Sequence, residues 1–164
     1  MRKKLRSLKD KLLNRQFKIN EVEYNWATPL TYNLKPSMIV YHHTVDSDMT
    51  PQQIDQIHKD RGWAGIGYHF YIRKDGTIYR GRPENAVGSH APGVNSKAFG
   101  IALEGNFNNE YLTPQQMTSV IELSKYLMSK YNITDLKRHK DVRNTECPGA
   151  NFPFEEIKSQ LNIA

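Results

Sequence analysis

Cysteine is nearly absent from this 164-residue chain. The single Cys147 allows no internal disulfide, which excludes a small disulfide-stapled scaffold. Long apolar runs are missing as well. Nothing approaches 18 consecutive apolar residues, so a hydrophobic transmembrane helix is excluded. The chain opens on Arg2-Lys3-Lys4 like a secretory leader, but Arg6, Lys9, Asp10 and Lys11 interrupt any apolar stretch behind them. The expectation is synthesis in a cytoplasm without a signal peptide. The main body also lacks an excess of either charge. Residues 1–18 hold eight basic residues and one acid, while the remaining 146 residues hold 15 bases and 16 acids. The formal charge of +6 therefore belongs to a basic tail on a nearly neutral domain. That argues against a nucleic-acid-binding face on the domain, and leaves the tail free to meet an anionic polymer or membrane surface.

Two units are expected along the chain: a basic N-terminal helical segment with its linker over residues 1–36, and a single main domain over 37–164. Leu5, Leu8, Leu12 and Leu13 recur at helical spacing and predict a basic amphipathic helix over residues 2–15. Those leucines pack on the domain or contact a surface. Residues 19–37 read as a connecting segment. Met38 to Tyr41 and Phe99 to Leu103 are short apolar runs of the kind that form buried strands. Tyr68 to Arg73 and Thr77 to Arg80 flank Lys74-Asp75-Gly76, a hairpin signature. Thr50-Pro51-Gln52-Gln53 and Thr113-Pro114-Gln115-Gln116 each open a helix through a capping box with proline in the first turn. Gly62 ends the first helix, the second runs over 114–131, and a last short helix lies near 154–161. Residues 81–97 form a long loop. The class is mixed α/β, with a central mixed sheet flanked by helices.

Of six histidines, His42 follows a strand directly, and His139 follows a helix and a short segment around Leu136. Cys147 lies eight residues beyond His139. Two histidines and a cysteine would offer zinc three ligands and leave a fourth position for water, the pattern of a catalytic rather than a structural site. No local pair of HExxH type supports this, so spacing alone leaves it open. Cys147 as nucleophile with His139 as base is the alternative on the same residues.

Several separated blocks occur together in one order: Ile39-Val40-Tyr41-His42-His43-Thr44, Gly62-Trp63, Gly67-Tyr68-His69-Phe70, Lys74-Asp75-Gly76-Thr77, Val87-Gly88-Ser89-His90-Ala91, the NSKAFGI run over 95–101, Arg138-His139-Lys140-Asp141-Val142, and Thr145-Glu146-Cys147-Pro148-Gly149. Over about residues 38–160 the chain resembles the zinc-dependent N-acetylmuramoyl-L-alanine amidases of the type-2 amidase and peptidoglycan recognition protein superfamily, which includes the T7-type phage lysozymes. The resemblance implies that superfamily's fold and one Zn2+ per chain held by His42, His139 and Cys147. It implies hydrolysis of the amide between the lactyl group of MurNAc and L-alanine in peptidoglycan. Tyr68 matches the tyrosine beside the activated water, and Thr145 the position that steadies the oxyanion with a neutral donor. His90 and Asn95 are expected to face the groove for the stem peptide, with Trp63 lining it or packing in the core. His69 is expected to pack inside and His58 to be exposed on the first helix. One departure stands out: the glutamate base of some branches aligns with Ala102, and Glu104, on the same strand face, is the remaining carboxylate.

The rival reading is a peptidoglycan-binding module without catalysis, but such members often lack the cysteine. A bacterial phage or prophage endolysin or autolysin is expected, reaching the wall after lysis or holin release. A monomer is expected.

Overall fold

The computed structural model describes residues 17–163. The helix expected over residues 2–15 lies outside them. A six-stranded sheet has strands β1 (Ile19–Asn20), β2 (Met38–His43), β3 (Phe70–Ile72), β4 (Ile78–Arg80), β5 (Ala98–Leu103) and β6 (Asp135–Arg138). Their spatial order is β1-β4-β3-β5-β2-β6. Every neighbouring pair is parallel except the β3–β4 hairpin. Helices α1 (Pro51–Asp60), α2 (Pro114–Tyr131), α3 (His139–Val142) and α4 (Phe154–Gln160) complete the described chain.

The two central strands are buried along their whole length, as expected for parallel strands covered on both faces. Alternation sorts their side chains. Ile39 and Tyr41 of β2, with Phe99, Ile101 and Leu103 of β5, pack against Val120, Leu123 and Leu127 of α2 and Ile157 of α4. This is the main core. Met38 and Val40 point to the opposite face, where Ala91 and Val94 of the long loop cover them. His42 continues that second face, which holds smaller apolar clusters and leaves room for a site.

Both threonine caps form as the sequence predicts. Thr50 Oγ1 accepts the Gln53 N–H while Gln53 Oε1 accepts the Thr50 N–H, at 3.2 and 2.8 Å. Thr113 and Gln116 repeat the arrangement at 3.0 and 3.1 Å. Each cap contributes about 1 kcal/mol.

Three local readings need correction. β2 runs through His43 rather than ending at Tyr41, because His42 and His43 pair in register with Ala102 and Leu103 of β5. Residues 135–138, with Leu136 alone as apolar, form the edge strand β6. An edge strand needs only one buried face, so its charged residues hide it from an apolar-run reading. The connecting segment contains β1, two residues held parallel to β4.

A candidate metal centre at the end of the central strands

The register of β6 against β2 builds the site. Tyr41 lies opposite Arg138, so the next residues, His42 and His139, emerge side by side. Their ring centroids are 4.5 Å apart. The turn that aims His139 is locked by Asp141, whose carboxylate accepts the Arg138 backbone N–H at 2.8 Å and grips its guanidinium at 3.0 and 2.8 Å. Cys147 arrives from the following loop. Its Sγ accepts the His43 backbone N–H at 3.3 Å and lies 3.8 Å from His42 Nδ1. One ligand atom from each of His42, His139 and Cys147 falls within 4.8 Å of the others.

The protonation states leave two imidazole lone pairs free for a metal. Burial, with His90 and His139 nearby, holds the His42 pKa well below its usual value. Burial and Arg143 lower that of His139. Both rings are therefore neutral near pH 7 and offer lone pairs. Burial pushes the Cys147 thiol up to about 11, against the opposing pull of the His43 N–H. A thiol raised this far is a poor nucleophile by itself, and a cation in the group is what would draw off its proton. Two imidazoles and a thiolate, open on one side, fit zinc in a catalytic setting.

The group opens into a cavity of about 550 Å³. Tyr68, Trp63 and Thr145 line it, as do Arg61, Ser89, Asn108 and Glu146. Tyr68 stands 5.1 Å from His42, ring to ring. Burial, with Cys147 close by, raises its phenol pKa, so the hydroxyl keeps its proton. Thr145 Oγ1 accepts the Cys147 N–H at 3.2 Å, which leaves its own proton to donate elsewhere. Trp63 meets the His58 ring edge-on at 4.7 Å, with the Arg61 guanidinium 5.4 Å over its own ring.

Four expected placements change or narrow. Asn95 does not line the cavity; its Oδ1 folds back to accept the N–H groups of His90 and Ala91 at 2.9 and 2.8 Å. His90 borders the cavity but is buried, and its Nδ1 is 2.9 Å from His42 Nε2. His58 is buried rather than exposed, since it lies one turn after Ile54 on the inward face of α1. Its Nδ1 accepts the Gly67 N–H at 2.8 Å. Glu104 is turned away from the cavity, accepting the N–H groups of Asp48 and Lys74 at 2.7 and 2.8 Å and pairing with Arg73 at 3.3 Å. His69 is fully buried, with Nε2 on the Ala86 carbonyl at 2.7 Å.

Arg61, Asn108 and Glu146 were not singled out by sequence. Arg61 and Glu146 each adjoin a flagged residue, a signal that was available. Asn108 carried none, because a distant loop brings it in, where it donates to Glu146 at 3.3 Å.

Known proteins share this arrangement of chain. The N-acetylmuramoyl-L-alanine amidase family matches residues 32–150. The endolysin of Enterobacteria phage T3 is 42% identical over 115 residues, 67% of this chain and 76% of its own length. Peptidoglycan-recognition protein SC2 of Drosophila melanogaster is 38% identical over 138 residues, 77% of this chain and 74% of its own. The structure of the N-acetylmuramoyl-L-alanine amidase LysC from Clostridium intestinale URNW superposes with a TM-score of 0.89 at 81% identity, covering 90% of this chain and 99% of that one. With a match that spans most of the chain and the same fold at this level of identity, the protein belongs to the N-acetylmuramoyl-L-alanine amidase family.

Proposed function

We propose that this chain is a zinc-dependent N-acetylmuramoyl-L-alanine amidase that cuts the amide between the MurNAc lactyl group and L-alanine in peptidoglycan. The observation that carries this reading is the convergence of His42, His139 and Cys147 at an open cavity. Family membership and the endolysin relatives support the substrate and a place of action at the cell wall after release from the cytoplasm.

His42 Nδ1, a nitrogen of His139 and Cys147 Sγ would hold the metal. Zinc there supplies a Lewis acid that polarises water and the scissile carbonyl. The protein's own groups do the rest. The protonated Tyr68 hydroxyl and the Thr145 hydroxyl donate towards the oxygen on which charge develops. Tyr68, with water, passes a proton to the leaving alanine amine. Trp63 gives the cavity an apolar wall for the muramyl peptide. With Glu104 turned away and Ala102 in place of the glutamate, proton movement falls to Tyr68 and water.

The test is zinc content together with release of new L-alanine amino groups from purified peptidoglycan, for the parent and for Cys147→Ser. About one zinc per chain, with activity lost on chelation and in the variant, is the expected result. Activity that survives chelation would make Cys147 a nucleophile. Wall binding without new amino groups would make the chain a recognition module. The basic residues 2–18 are proposed to add attraction to anionic wall polymers. Deleting them should weaken sedimentation with the wall at low salt, and unchanged sedimentation would refute that role.

A further inference from the structure

We propose that His90 is a positioning residue, which selects the tautomer of His42 and so decides that Nδ1 faces the metal. This rests on the reading of His42 as a zinc ligand.

The argument follows the protons. His90 Nε2 lies 3.1 Å from the Ala98 carbonyl oxygen. A carbonyl only accepts, so His90 Nε2 carries a hydrogen and donates it. Among the described residues no carboxylate hydrogen-bonds the ring to favour a second proton, so Nδ1 is left with a lone pair. His90 Nδ1 is 2.9 Å from His42 Nε2, and the only proton available for that bond is on His42. His42 is thereby the Nε2–H tautomer. Its free lone pair sits on Nδ1, the atom 3.8 Å from Cys147 Sγ. A ligating imidazole whose second nitrogen donates is fixed in orientation and made more basic.

The surroundings hold His90 for this task. Asn95 accepts two successive N–H groups and pins its backbone. Its ring lies in a slot between Gly88 and Gly100, where an added Cβ would come within 2.7 and 2.6 Å of it respectively. Asn95 and the glycines thus act on the metal ligand at one remove.

The test uses the full zinc-loaded chain, with His90→Phe, which keeps a ring without an acceptor, and His90→Asn, whose Oδ1 can accept near the Nδ1 position. Zinc affinity is read by competition with a chelator. His90→Phe should bind zinc about 10- to 100-fold more weakly, and His90→Asn should recover most of the loss. Long-range ¹H–¹⁵N spectra of the parent should show His42 protonated at Nε2. Equal zinc affinity in parent and His90→Phe, no recovery in His90→Asn, or a parent His42 protonated at Nδ1 would each overturn the proposal. The spectrum needs no variant, so it decides the matter even where a variant fails to fold. A parent that holds no zinc overturns the proposed function instead, and the His42 tautomer in that same chain still tests the role of His90.

Discussion

Replacing Gly100 by alanine should loosen the metal-ligand group without altering any member of it. Gly100 lies in β5 beneath the His90 ring. A methyl group built there stands 2.6 Å from His90 Cγ and 2.8 Å from both Cδ2 and Nδ1. Ordinary contact begins at 3.4 Å, so the ring must retreat by about 0.8 Å. Gly88 closes the slot from its side, so the ring is driven out of the place from which it meets His42. A shift on that scale would strain or break the His42–His90 bond, now 2.9 Å. Gly100 is not among the residues of positive φ, so backbone strain does not contribute. Overpacking on this scale costs ~1–3 kcal/mol. Urea unfolding should show that loss, and chelator competition should show zinc held about 10-fold or more weakly. A Gly100→Ala protein with parental stability and parental zinc affinity would refute the packing argument.

Tyr68→Phe should lower kcat for amino-group release by about 10²-fold and leave zinc affinity unchanged, since the phenol acts on the reacting oxygen and not on the metal ligands. An unchanged kcat would remove Tyr68 from the reaction. Glu104→Gln should cost ~1–3 kcal/mol in urea unfolding, because the carboxylate joins two backbone N–H groups and Arg73, while turnover per folded molecule stays at the parental level. A large fall in kcat at parental stability would instead restore Glu104 as a general base. Glu84→Gln tests linkage. Partial burial alone would raise the Glu84 carboxyl, but bonds from Tyr131, Arg80 and Lys130 outweigh it and hold the pKa at about 2, against 4.5 unperturbed. The folded value is the lower, so the stabilisation is complete above pH 4.5 and is lost as pH falls through 2. Parental stability should therefore fall more steeply with acid than that of the variant, and parallel curves would refute the assignment.

Local chemistry decided much of this protein before any long-range contact forms. The two threonine–glutamine caps, the Asp75-Gly76 hairpin and the helical stripe of α2 are each written within a few residues of chain, where hydrogen-bond geometry and side-chain period act directly. The apolar runs of β2 and β5 likewise identify themselves as strands buried on both faces. The metal-ligand trio was legible by type and by its resemblance to a family, not by spacing.

The tertiary structure decided what depends on register and on facing. β6 is a strand because β2 offers it an edge, and its own charged residues conceal it. That pairing alone brings His139 beside His42. The same dependence explains the misplaced side chains. His58 looks like a polar residue on an exposed helix, yet its place one turn from Ile54 turns it inward onto the Gly67 N–H. Asn95 looks like a groove residue, yet the loop's own N–H groups claim its oxygen first. His90 could not be read from sequence as the partner of His42, because 48 residues separate them and only the packing of the long loop over β5 closes the gap. A side chain's type states which bonds it can make, and the fold determines which partners are within reach.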